Sequence, residues 1–121
     1  MQRDMDLIRE ILLRMEAHPN GFGPQELDVP GFTPEQVGYH AFLMNQAGLV
    51  HAVVTTSHAA QSPSAIPVYV TWEGYEFLAA SKDPSNWKKG TSAVMAKAGA
   101  IGFEILKAVL TAEIRKQVGL P

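Results

Sequence analysis

The spacing of apolar positions changes several times along these 121 residues, and each change marks an element. Met5, Ile8, Ile11, Leu12 and Met15 recur at helical spacing and predict a first helix, capped by Asp4 and running to about Ala17. His18-Pro19-Asn20-Gly21 stops it. The run to Phe32 holds three glycines and two further prolines, which leaves room only for a short extended piece over 26–29. A second helix is specified between residues 31 and 50, because Thr33 can cap it, Pro34 fits its first position and Gln36 can close a capping box. Val37, Ala41 and Met44, joined by His40, Leu43 and Ala47, make its inner face. Gly48 suits the left-handed position beyond its end.

The period then shortens. Residues 49–57 and 65–71 are rich in β-branched types and predict two strands of a hairpin whose longer tip is His-Ala-Ala-Gln-Ser-Pro-Ser. Pro67 cannot donate to a ladder and is expected on an edge. Thr71 can cap a third helix whose Trp72, Phe77 and Leu78 are expected to return to the core. Asp83-Pro84 opens a fourth helix with Trp87, Val94 and Met95 as its apolar contacts and Gly90 weakening its middle. Gly99 and Gly102 separate it from a last helix over 103–118, closed by Gly119 and Pro121.

That last helix is unusual. Phe103, Leu106, Leu110, Ile114 and Val118 form one stripe, and Ile105 and Val109 form a second beside it. A terminal helix on a small domain ordinarily needs one apolar face, so Phe103, Ile105, Leu106, Val109, Leu110 and Ile114 are the expected interface of a homodimer. The expected organisation is one domain over 1–81 and a helical extension over 82–121 that serves as the dimerisation element. The fold class is mainly α with a small β-hairpin (α+β).

Composition narrows the function classes. Apolar residues make up 46% and charged residues 18%, the balance of a chain that folds. There is no cysteine, so disulfides, thiolate metal sites and a thiol nucleophile are excluded. The start Met-Gln-Arg-Asp-Met-Asp lacks the pattern of a signal peptide, and no stretch has the ~20 apolar residues of a membrane span. A cytoplasmic protein is expected.

The net charge of −2 conceals a segregation by sign. Residues 15–81 hold six acids (Glu16, Glu26, Asp28, Glu35, Glu73, Glu76) and no Lys or Arg, whereas 82–121 hold three acids and seven bases, a net of +4.

The predicted order is helix, short extended piece, capped helix, strand, strand, helix, which resembles a winged helix-turn-helix with two additional C-terminal helices. Gln46-Ala47-Gly48-Leu49-Val50 resembles the end of a recognition helix entering the wing, and Val70-Thr71-Trp72-Glu73-Gly74 resembles the Leu-Thr-x-x-Gly exit of many bacterial regulators. The opening Arg3-Asp4-Met5-Asp6-Leu7-Ile8-Arg9, the Tyr39-His40 step and the Thr71-Trp72-Glu73-Gly74 step together resemble the domain of unknown function 2513 family of short bacterial and phage proteins. The resemblance covers nearly the whole chain. It implies a fold and a setting, and brings no activity or site residues with it.

A winged helix that reads DNA needs cations on its recognition helix and wing, since phosphate contacts supply most non-specific affinity. Here both elements have none, and Glu35 stands at the start of the second helix with the wrong sign. Operator binding is therefore disfavoured. The alternative is a DNA-binding regulator that uses either Lys82, Lys88, Lys89 and Lys97 as a basic C-terminal edge or backbone contacts from the wing, although a solvated helix face explains such lysines more simply. Tyr39 and Phe42 lie opposite Val37 and Met44. They either pack beneath a loop or the last helix, or, with Glu35, face a protein partner.

No catalytic apparatus is visible. His18, His40, His51 and His58 have no metal-ligand spacing, and His40 on the apolar face reads as a hydrogen-bonded core or interface residue. There is no Gly-x-Ser-x-Gly elbow, and the Gly21, Gly23 and Gly31 region lacks the strand and lysine of a phosphate loop. No cofactor or metal is expected. The expected function is a non-catalytic winged-helix module that self-associates and binds a protein partner. A small-molecule sensor is a third class.

Overall fold

The computed structural model describes residues 1–56 and 62–121, and within them the architecture is mainly helical with one small two-stranded antiparallel sheet. Helices α1 (Met5–Glu16) and α2 (Pro34–Gln46) precede strands β1 (Val50–Val54) and β2 (Ala65–Val70), which are followed by α3 (Trp72–Ser81), α4 (Pro84–Ala98) and α5 (Phe103–Gln117). His58 and most of the expected hairpin tip lie outside the described residues. The chain forms two compact units, Met1–Glu76 and Phe77–Pro121, and α3 passes from one into the other.

In the first unit, α1 starts where the Asp4 carboxylate accepts the backbone N–H groups of Asp6 and Leu7. Its five predicted apolar positions are buried, and Leu7 joins them, so the inner face is wider than one stripe. This face packs on α2 and β2. Helix α2 has the capping box in full: the Gln36 N–H donates to Thr33 Oγ1 at 3.1 Å, and the Thr33 N–H donates to Gln36 Oε1 at 2.8 Å. At its other end Gly48 adopts φ +77°, the Leu49 N–H donates to the Met44 carbonyl, and the Gly48 N–H donates to the Asn45 carbonyl. This pair of bonds turns the chain directly into β1. The Asn45 side chain then accepts the Ala52 N–H at 3.0 Å, tying helix to strand.

The hairpin pairs Val50 with Val70 and His51 with Tyr69, but Ala52 with Pro67, so an irregularity beside Ala52 leaves Val68 as an extra residue. Pro67 thus stands next to a bulge in a sheet with only edge strands, where its missing N–H costs least. The extended piece expected over 26–29 makes no strand. Instead the preceding Gln25 meets β2, its N–H donating to the Pro67 carbonyl at 2.9 Å and its amide to the Val68 carbonyl at 3.4 Å. Pro24 and Pro30 bracket this segment and offer no N–H to extend the pairing.

Thr71 organises the exit from the hairpin. Its hydroxyl donates to the Gly48 carbonyl and accepts the Gly74 N–H, while its own N–H donates to the Leu49 carbonyl. Gly74 lies against that carbonyl so closely that a Cβ would collide with it. This contact sets the rotation of α3. Gly74, Phe77, Leu78 and Ser81 are buried, which turns Trp72 outward to 77% exposure rather than into the expected core position.

In the second unit, Asp83 caps α4 by accepting the Asn86 N–H. Phe77 stands edge-on to Trp87, with ring centroids 6.2 Å apart, and packs on Phe103 at 4.7 Å. Gly90 has a packing role: α5 lays Leu110 and Leu106 over it, and a Cβ there would press on Leu110. Trp87 and Val94 are buried as expected, but Met95 is 49% exposed, because the next residue along the helix points away from the α5 side that Gly90 and Val94 face. Gly99 ends α4 at φ +71°. Asn86 and Gln117 exchange two amide hydrogen bonds, of 3.1 and 2.9 Å.

Candidate functional site

The outward face of helix α2 is a single strip of side chains. Glu35, Tyr39, Phe42 and Gln46 follow one another at four-, three- and four-residue steps, forming the strip opposite buried Val37, Ala41 and Met44. Glu35 and Gln46 are exposed, whereas Tyr39 and Phe42 are half-buried. Glu35 accepts the Ser62 hydroxyl at 3.4 Å, and Gly38 approaches Ser64 so closely that a Cβ would collide with its hydroxyl. The strip is polar, acidic and partly aromatic, without a cation.

His40 fastens this helix to the start of the chain. Its Nε2 accepts the Asp4 N–H at 2.8 Å and its Nδ1 donates to the Gln36 carbonyl at 2.8 Å, which places the single ring proton on Nδ1. Burial lowers its pKa below the ordinary 6.5, against the raising effects of the Gln36 carbonyl and Asp4. Protonating Nε2 would set a second donor against the Asp4 N–H. The geometry is that of a neutral structural histidine. Both ring nitrogens are occupied by backbone, so neither is left for a substrate.

The most exposed aromatic side chains lie elsewhere. On the hairpin's outer face the cross-strand partners His51 and Tyr69 stack at 5.1 Å, and Phe22 stacks on Tyr69 at 6.3 Å. Trp72 and Tyr75 face outward from α3. The alternation of β1 gave a signal for His51 facing out, but nothing local pairs Phe22 with Tyr69 across 47 positions.

A groove of about 510 Å³ runs between the 25–28 segment, the first turns of α2 and the start of β2, with Glu26, Asp28, Gly38 and Ile66 among its walls. No group of three or more potential metal-ligating side chains occurs among the described residues. Among the described residues no helix is long and apolar enough to cross a membrane.

The second unit carries the remaining candidates. Lys82, Lys88, Lys89 and Lys97 are all exposed. Lys89 shares a small groove with Glu113, so its charge has an acidic neighbour. On α5, Leu106 and Leu110 are fully buried, while Phe103, Val109 and Ile114 are half-buried. Ile105 is 61% exposed, with Val118 and Leu120 also outward. The first stripe thus turns Leu106 and Leu110 into its own unit but leaves Val118 in solvent, and of the second Ile105 is exposed while Val109 is half-buried.

The family model described as "Hypothetical protein (DUF2513)" matches residues 2–100. The chain belongs to this family. A protein of Haemophilus influenzae labelled "Uncharacterized protein" is 32% identical over 110 residues, spanning 90% of this chain and 92% of that protein. No solved structure matches the chain. The family match ends before α5, whose residues 103–117 lie beyond it.

Proposed function

We propose that the chain is a non-catalytic winged-helix module of the cytoplasm, acting in a bacterial or phage regulatory setting by binding a protein partner. In this reading α2 is the counterpart of a recognition helix and the β1–β2 hairpin is the wing. The observation that carries it is the absence of Lys and Arg from residues 15–81, which include all of α2 and the hairpin. All six acids of that span are exposed. Such a surface repels a phosphate backbone and releases none of the counterions that drive non-specific DNA affinity. Half-buried Tyr39 and Phe42 beside Glu35 offer what a protein interface uses, amphipathic rings with a polar rim.

Self-association through α5 belongs to the same proposal, since Ile105, Val118 and Leu120 leave apolar surface uncovered on that helix and the residues after it. Light scattering over a wide concentration range tests this part. A homodimer whose population falls with Ile105→Lys is expected, and a strict monomer at high concentration would remove it.

The rival reading, a DNA-binding regulator, is favoured by the exposed Lys88, Lys89 and Lys97 together with Lys82. Duplex binding measured by anisotropy at low salt separates the two. The protein-partner reading expects no specific complex. Tight binding that Lys88→Glu plus Lys89→Glu abolishes would replace it with the rival.

A further inference from the structure

Three aromatic side chains of the first unit stand in a row in solvent. Phe22 and Tyr69 are 20° from parallel, and Tyr69 and His51 are 19° from parallel, so the rings form a near-parallel ladder on the outer side of the hairpin. Phe22 is 67% exposed. The loop that presents it is conformationally specified: Gly21 and Gly23 flank it at φ +66° and +117°, and its N–H donates to the Asn20 side chain. Three residues on, Gln25 is pinned to β2, and beyond it Glu26 and Asp28 are exposed. A phenylalanine left mostly in water gains little from folding, so its fixed presentation calls for another occupant.

We propose that this ring row, with exposed Glu26 four residues along the chain from Phe22, docks an arginine-bearing segment of the partner protein. The proposal rests on the protein-partner reading above and names the chemistry of the partner. Two observations select the occupant. The ladder of near-parallel rings is extended by a flat group, and both a nucleobase and a guanidinium are flat. The charge decides between them. A span with six exposed acids and no Lys or Arg cannot balance the phosphate that accompanies each base, but it complements a cation. A guanidinium is planar and cationic, stacks on aromatic faces and pairs with a carboxylate, whereas a lysine ammonium is a compact charge that cannot continue the stack. Glu26 is four residues from Phe22, at most ~14 Å along the chain, so one short peptide reaches both.

The experiment titrates the isotopically labelled full chain with a peptide of Arg-Gly-Ser repeats, its lysine counterpart, a single-stranded oligonucleotide and a DNA duplex, following resonances by NMR. The arginine peptide is expected to move the signals of Phe22, Tyr69 and His51, and to bind more tightly than the lysine peptide. Phe22→Ala should weaken binding roughly two- to fivefold, the size of an exposed cation–π contact, while Phe22→Trp preserves or strengthens it. Glu26→Gln should reduce its salt dependence. Equal binding of the lysine peptide, an oligonucleotide that moves the same signals, or indifference to Phe22→Ala would overturn the proposal. Arginine-peptide shifts confined to the α2 strip would overturn this docking site and leave the protein-partner reading standing. Steep, salt-dependent duplex binding would end both.

Discussion

Residues 1–76 carry nine acids and three bases, while residues 77–121 carry three acids and seven bases, and the two units differ as much in how they are held as in sign. In the first, side chains close the junctions between elements. His40 joins α2 to the start of α1, Asn45 joins α2 to β1, and Thr71 joins the end of α2 to the hairpin exit and α3. In the second, α4 and α5 meet through Leu106 and Leu110 lying over Gly90, with Asn86 and Gln117 as a buttressing amide pair. Directed polar contacts fix orientation where several short elements converge, whereas two long helices need only a close crossing. The surfaces left over differ accordingly: rings and carboxylates on the first unit, aliphatic side chains and lysines on the second.

The sharpest test of that contrast compares two residues of α5. Leu110→Ala removes a fully buried side chain and should cost about 2–5 kcal/mol by denaturant unfolding, whereas Ile105→Ala at an exposed position should cost less than about 0.5 kcal/mol in dilute solution. A cost at Ile105 that grows with protein concentration would instead place a second copy over it.

In the first unit, Gly74→Ala should cost about 1–3 kcal/mol, because the Leu49 carbonyl that a Cβ meets is backbone and cannot easily yield. Thr71→Val deletes the hydroxyl while keeping the shape, and should cost about 1–2 kcal/mol by orphaning the Gly74 N–H and the Gly48 carbonyl. Equal unfolding midpoints for these variants and the wild type would show that the junction is not held as described.

His40 gives the first unit a pH dependence. Its pKa is lower folded than unfolded, so below 6.5 the unfolded chain binds more protons and stability falls. The His40 contribution is complete above 6.5 and is lost as the pH drops from there toward the folded value. Unfolding at a series of pH values should show this slope in the wild type and less of it in His40→Gln. An identical slope in both would assign the dependence to other groups. The smallest effect is expected at Phe22→Ala, within about 0.5 kcal/mol in stability, since the side chain is mostly exposed.

Much of this arrangement is legible locally. The Thr33–Gln36 capping box, Pro34 at the helix start and Gly48 at its end each depend on residues within a few positions, and each occurs as the spacing predicts. The buried, hydrogen-bonded character of His40 follows from its place on the apolar face, although its partner Asp4 and its neutral state do not. Trp72 and Met95 are exposed rather than buried for a common reason. A hydrophobic residue type says what would gain from burial, but the rotation of the helix is set by where glycine permits close approach, at Gly74 for α3 and Gly90 for α4. The Phe22–Tyr69–His51 row is invisible along the chain, because its members meet only after a loop folds over a hairpin. The groove beside β2 has the same origin, being walled by three separate segments.

We propose that the outward face of α2 does not engage a duplex because it carries no cation. It is tested most directly by measuring duplex affinity against salt for the wild type and for Glu35→Lys plus Gln46→Lys on the exposed strip. The wild type is expected to show negligible affinity and slope, and the variant to gain salt-sensitive binding. A wild type that already binds steeply, with the two lysines adding nothing, would contradict it.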